Sequence, residues 1–225
     1  MSSTSDVAPD DRELAVRFAH ARERIERAGG DPSRITVVAV TKGFGSDVVA
    51  RARRLGQLDF GENYASDLLT KSGCEAGAGS QWHYLGAVQR TTAHKLGARV
   101  HLWQAVDGLV AGERIAHAVP GARVLLQVNV SGEPQKRGCS FEEAPELAAG
   151  LRDLGLDVSG VMAVGPAGPP ERARAGFRRV AELADQLGLP ERSMGMSADL
   201  EVAVAEGATM VRLGTALFGP RPPRQ

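Results

Sequence analysis

RSMGMSADLEVAVAEGATMVRLGTALFGPR, residues 192–221, is the stretch from which the fold is read. Ser197 stands in the place of an N-cap before a short helical run, 198–206, where its hydroxyl can accept from free amides of the first turn. Gly207 ends that run, and 208–213 alternates as a strand does. Met210, Arg212 and Gly214 share one face; Thr209, Val211 and Leu213 share the other. The strand delivers the chain to Gly214-Thr215, whose amides a small ligand can approach closely. Two separate segments thus end in groups that bind anions, and helix starts and bare amides favour phosphate. In a (β/α)8 barrel the loops after the seventh and eighth strands are the usual phosphate site. The stretch therefore asks whether the rest of the chain supplies the other strands of such a barrel.

It does. Leu14, Phe18, Ala21 and Ile25 fall on one face of a first helix that Asp10 or Asp11 can cap and Gly29-Gly30 stops. ITVVAV (35–40) is a short, fully apolar strand of the kind buried on both faces of a parallel sheet. Further strands are predicted at 58–60, 82–85, 100–106, 123–130 and 158–164, with a short one at Met194 before 208–213. Helices are predicted between them at 47–55, 63–71, 88–96, 109–119, 141–154 and 171–187. Eight strands alternating with helices, plus an extra helix at the start, predict an α/β fold: one closed (β/α)8 barrel over 10–219. An open doubly wound sheet is disfavoured because no GxGxxG follows the first strand. Residues 1–9, polar and Ser-rich, read as a disordered tail, and the Pro/Arg-rich 220–225 as a loose end.

The 27 Lys and Arg residues equal the 27 Asp and Glu residues, so there is no electrostatic case for nucleic acid or an anionic membrane. Cys74 and Cys139 form no CxxC and no metal spacing, which predicts a reduced, cytoplasmic setting. No apolar run approaches the ~20 residues of a membrane span.

Lys42 follows the first strand with the parity of Val38 and Val40, so it is expected to point inward at the rim where such barrels do chemistry. Desolvation there favours a neutral amine, the nucleophile for an aldehyde. Asn63 and Tyr64 end the second strand at the same rim, where Asn63 can hydrogen-bond a ring hydroxyl and Tyr64 can contact a flat ring. Equally, Glu62 and Asn63 can simply start the next helix. His83, in an apolar strand, reads as a satisfied core histidine rather than a catalyst. Gln127 and Asn129 share one strand face and predict a polar interior layer or a ligand wall. Met162, Met194 and Met196 read first as packing. Arg212, inside an apolar strand, needs an acceptor: a phosphate, a carboxylate, a heterocyclic nitrogen, or a structural partner such as Glu62. No metal spacing and no nucleophile elbow is visible.

An aldehyde-capturing lysine and a phosphate cup on one barrel imply pyridoxal 5′-phosphate. AVTKGF (39–44), FGENY (60–64), WHYLGAVQ (82–89), QVNVSGEPQKRG (127–138), GVMAVGP (160–166) and SMGMSADLEVAVAEGATMVRLGTALFG (193–219) carry a resemblance to the pyridoxal phosphate homeostasis protein family. That family resembles the barrel domain of bacterial alanine racemase and of fold-type III decarboxylases. The resemblance implies a cofactor held as an internal aldimine on Lys42. It places Ser197, Gly214 and Thr215 at the phosphate and Arg212 at the pyridine nitrogen, and Asn63 and Met194 are counted with them as candidate cofactor-binding residues. Two departures stand out. Thr91-Thr92 occupies the place of a family Asn-Lys, and Gly43-Phe44 follows the lysine where the family often has Pro, which predicts a more mobile Lys42 loop. Lys136 matches a family lysine in the loop after the fifth strand.

The function this implies is binding of pyridoxal phosphate in intracellular vitamin B6 homeostasis, without catalytic turnover. The expected partners are the cofactor and apo forms of enzymes that use it, with the chain a cytoplasmic monomer. A small racemase or lyase is the alternative. It requires a second proton carrier, and a racemase of this fold draws a tyrosine from a second, β-rich domain that this sequence does not show.

Overall fold

The computed structural model describes residues 8–133 and 136–221; of the tails expected at 1–9 and 220–225, residues 1–7 and 222–225 lie outside the described residues. The chain runs α1 (Asp11–Arg27), β1 (Thr36–Val40), α2 (Ser46–Arg54), β2 (Asp59–Glu62), α3 (Ala65–Ser72), β3 (Gln81–Tyr84), α4 (Thr92–Leu96) and β4 (Val100–Val106). It continues α5 (Leu109–Ala118), β5 (Arg123–Val128), α6 (Ala144–Asp153), β6 (Asp157–Ala163), α7 (Arg174–Gln186), β7 (Glu191–Ser193), α8 (Leu200–Ala205), β8 (Met210–Leu213) and α9 (Thr215–Phe218). The eight strands close into a barrel in sequence order, β8 pairing in parallel with β1 so that Arg212 lies opposite Val38.

Alternation along the strands, broken by an irregularity between Trp103 and Val106 in β4, sorts the strand residues into two cores. Val38, Leu102, Ala105, Leu125, Met162 and Met210 fill the barrel interior. The opposite parity, with Ala39, Phe60, Trp82, Trp103, Val161 and Val211, packs outward against the helices. Phe177, Leu14 and Ile25 are among the fully buried side chains of this outer layer, each worth about 1.5–3 kcal/mol of burial.

The predicted helix at 88–96 forms only over Thr92–Leu96. Thr92 Oγ1 accepts the Gln89 amide at 3.2 Å and holds the preceding residues in a turn. α9 was absent from the sequence reading, because residues 215–218 are too few for a helical period to show.

The extra helix at the start has a structural task. Asp10 caps α1 by accepting the Glu13 amide at 2.8 Å. From α1, Arg24 donates to the Ser197 carbonyl at 3.0 Å and to Glu201, and Arg17 donates to the Leu217 carbonyl at 3.1 Å. α1 thus braces both segments that follow β7 and β8. Ahead of it, Ala8 and Pro9 are pinned through their carbonyls by Arg51.

Candidate functional site

At the C-terminal rim of the barrel a cavity of about 470 Å³ opens, within the range of small-ligand sites. Lys42, Asn63, Ser197, Arg212, Gly214 and Thr215 all line it. Six of the seven residues expected at the site are therefore together. Met194 is the exception: its parity turns it into the outer core, where it is fully buried, and Met162 and Met196 line the cavity instead.

Lys42 sits just beyond β1 on the inward face, as Val38 and Val40 foretell. Burial pulls its ammonium below the ordinary lysine range, the Arg221 charge adds to that, and Glu62 opposes it. The next residue, Gly43, has φ +84°, a conformation that other side chains adopt only with strain. Phe44 then packs its ring 5.6 Å from that of Phe218 and its amide donates to the Thr41 carbonyl at 3.0 Å. The loop after the lysine is anchored by these contacts despite its glycine.

Arg212 is buried and has no carboxylate partner. It donates to the Ser193 carbonyl at 2.7 Å, the Ser193 hydroxyl at 2.6 Å and the Ala163 carbonyl at 2.7 Å. Burial pushes its pKa down to about 10. Glu62, weighed as its partner, is instead outside the barrel wall, paired with Lys71 at 2.5 Å.

Beneath Arg212 a chain of hydrogen bonds runs down the barrel to the Asp59 carboxylate. The Ser193 hydroxyl donates to Gln104 Oε1 at 2.7 Å, the Gln104 amide meets His83 Nδ1 at 2.7 Å, and His83 Nε2 faces Asp59 at 3.0 Å. These partners place the imidazole proton on Nε2. His83 is thus a satisfied core histidine.

The end of the cavity expected to bind an anion differs from expectation in its local geometry. Ser197 does not cap α8. That helix begins later, at Leu200, and the Asp199 carboxylate accepts the Met196 amide at 2.6 Å. The Ser197 hydroxyl instead accepts the Ala216 amide at 3.0 Å and ties the loop after β7 to α9. The amide of Thr215 opens a helical turn and has no acceptor within it.

A second cavity, about 550 Å³, adjoins the first and shares Asn63, Leu85, Met162 and Val164 with it. Tyr64, Tyr84 and Gln127 line only this one. Asn63 Oδ1 is buried without a hydrogen-bond partner among the described residues, at the boundary of the two. Asn129, by contrast, folds its own loop, accepting from Ser131 and Gly132 and donating to the Glu133 and Lys136 carbonyls. Lys136 pairs with Glu133 at 2.7 Å and lines neither cavity.

Two residues of the site region escaped the sequence. Arg221, in the tail expected to be loose, lines the first cavity. Lys71 is 3% exposed although it lies in a polar-looking helix. Among the described residues no three His, Cys, Asp or Glu side chains are placed to hold a metal, and no helix is long and apolar enough to cross a membrane. Burial raises the Cys139 thiol to about 11, so it is no nucleophile.

Residues 14–222 match the family model described as the alanine racemase N-terminal domain. The pyridoxal phosphate homeostasis protein of Pseudomonas aeruginosa is 39% identical, with 96% of each chain covered. Among solved structures, PipY of Synechococcus elongatus with pyridoxal phosphate bound is 30% identical at a TM-score of 0.77, covering 92% of this chain and 100% of that one. Alanine racemase of Clostridium difficile superposes at a TM-score of 0.70 and 14% identity, covering 94% of this chain and 58% of that one, a likeness of fold.

Proposed function

The chain belongs to the alanine racemase N-terminal-domain family and, within it, to the pyridoxal phosphate homeostasis proteins, and from that premise we propose that it holds pyridoxal 5′-phosphate at the barrel mouth, with Lys42 as the anchoring amine. One observation carries the reading: a single cavity joins a half-buried lysine, an arginine bonded only to neutral acceptors, and the Ser197 and Gly214-Thr215 segments. The residues fit the group. The amine lacks an ion-pair partner among the described residues, the guanidinium keeps N–H donors beyond the three bonds it makes, and the Thr215 amide begins a helical turn that offers it no acceptor.

When bound, the cofactor supplies an aldehyde carbon, a pyridine nitrogen and a phosphate. Lys42 presents its amine to that aldehyde, and its lowered pKa enlarges the neutral, nucleophilic fraction. Arg212 stays cationic well above neutral pH, so toward a ring nitrogen it would act as a hydrogen-bond donor and not as a proton donor. An unprotonated ring is a weak electron sink, which favours storage over turnover. The cavity around Lys42 has no histidine, tyrosine or carboxylate among its described lining residues to act as a second proton carrier.

The protein on this reading limits the free aldehyde in the cytoplasm and passes it, as a monomer, to apo enzymes that need it. A second reading, a slow amino-acid racemase or lyase, rests on Tyr64 in the adjoining cavity. The test is titration of the protein with pyridoxal phosphate, followed by absorbance, together with alanine turnover assays. A visible-range band that Lys42→Ala abolishes, without turnover, is the expected result. Turnover that Tyr64→Phe abolishes moves the assignment to the second reading, and no band in the wild type sinks both.

A further inference from the structure

Behind the barrel wall, on the side away from the cavity, lies a charged group that the proposed function does not use. Glu62 and Thr41 are fully buried and Lys71 nearly so. Glu62 ends β2 with the outward parity of Phe60, and Lys71 reaches it from the last turn of α3. The hydrogen bonds of the pair converge on one residue. The Thr41 hydroxyl donates to Glu62 Oε1 at 2.6 Å, and Lys71 donates to the Thr41 carbonyl at 2.8 Å. The Thr41 amide donates to the Gly61 carbonyl at 3.1 Å. Every polar atom of Thr41 is therefore bonded, and the next residue is Lys42.

A buried ion pair adds little net stability, because desolvation offsets most of the attraction. Here Glu62 Oε2 has no hydrogen-bond partner among the described residues, which makes the pair a poor stabiliser in its own right. Its geometry is better suited to holding a piece of backbone. The strand ends at Val40, so Thr41 is the first residue past the ladder, where a chain ordinarily gains freedom. The pair removes that freedom at the residue from which Lys42 departs, and Gly43 with Phe44 fixes the other side.

We propose that the buried Glu62–Lys71 pair is a positioning device for Lys42, acting from outside the barrel through the backbone of Thr41. The inference rests on the reading of Lys42 as the reactive amine. It assigns Thr41, Glu62 and Lys71 to the placement of that amine, and none of them touches the cofactor.

Thr41→Val keeps the shape and the Glu62–Lys71 pair but removes the hydroxyl; Thr41→Ser restores it. With pyridoxal phosphate as the probe, two things are measured across pH: the rate of the visible band's appearance, and the pH midpoint of that rate. The 13C-methyl signal of reductively methylated Lys42 reports the same amine without cofactor, and the chain's other lysines are only Lys71, Lys95 and Lys136. Thr41→Val is expected to slow uptake about tenfold, the scale on which small misplacements act. It is also expected to shift the pH midpoint while melting close to wild type, and Thr41→Ser to recover both. Wild-type rate and midpoint in Thr41→Val overturn the proposal. Should Thr41→Val not fold, Glu62→Gln keeps an acceptor for both partners; uptake slowed severalfold with a shifted midpoint supports the device, and unchanged uptake overturns it. Failure of the underlying reading looks different: the wild type itself then shows no band that Lys42→Ala removes.

Discussion

Lys42 and Arg212 face the same cavity, yet they are supported by opposite means. Behind Lys42, outside the barrel, stands a full ion pair that grips the preceding residue. Beneath Arg212, inside the barrel, its hydrogen bonds run only to carbonyls, a hydroxyl, an amide and an imidazole before reaching the Asp59 carboxylate, and the nearby Asp199 carboxylate acts on it through space without an ion pair among the described residues. The difference follows from what each cation has to do. On the proposed reading a lysine that captures an aldehyde must give up its proton readily, and the Glu62 carboxylate, whose charge opposes this, is held behind the wall by Lys71. An arginine that donates to a ring nitrogen must keep its charge, and neutral acceptors hold it in place without neutralising it.

The largest expected effect tests the charged support. Lys71→Met leaves the Glu62 carboxylate buried without a cation, at a cost of about 3–5 kcal/mol. For a chain of this size that is a fall in melting temperature of roughly 10 °C, read by calorimetry. A fall of only about 2 °C means that the pair is not a support. The neutral support is tested by Ser193→Ala, which removes one of three acceptors and leaves both carbonyls. It is expected to cost about 1–2 kcal/mol of stability and to weaken pyridoxal phosphate binding about tenfold by equilibrium titration. A stability loss as large as that of Lys71→Met erases the contrast.

Acid–base behaviour sharpens it further. Lys42 titrates below its ordinary 10.5, so raising the pH through the lowered value frees the amine, and the midpoint of the climb in cofactor uptake is expected below 10.5. Arg221→Ala removes one of the lowering charges and is expected to move the midpoint of that climb to higher pH. A midpoint that stays or falls contradicts the role given to Arg221. The smallest effect is Gly43→Ala, which places a side chain at φ +84° and costs about 1–2 kcal/mol, with Ala at Gly108, whose φ is extended, as the control.

How much of this was legible in the sequence depended on whether the signal was local. Strand parity is local, and it aimed Lys42 and Arg212 into the barrel correctly. Short apolar runs separated by amphipathic stretches gave the closed eight-stranded sheet. Ser197 was identified as a residue of the phosphate end, but its capping role was misjudged. A Ser before a helix reads as an N-cap whether or not a later amide, here that of Ala216, claims the hydroxyl. Lys71 was invisible because a lysine in an eight-residue amphipathic helix reads as a solvated face, and its burial depends on Glu62 arriving from the neighbouring strand. Arg221 was lost in a Pro/Arg-rich end whose composition says nothing of where the chain returns. Met194 is counted among the candidate cofactor-binding residues, yet the alternation past Ser193 turns its side chain into the outer core.

The account stands or falls on which amine takes the cofactor. The direct measurement is borohydride reduction of the protein saturated with pyridoxal phosphate, followed by peptide mapping. Lys42, Lys71, Lys95 and Lys136 are the chain's only lysines, so each assignment is unambiguous. A pyridoxyl group on Lys42, with the other three unmodified, is the predicted result. A label on Lys71, Lys95 or Lys136 in its place, or no label at all, contradicts the account.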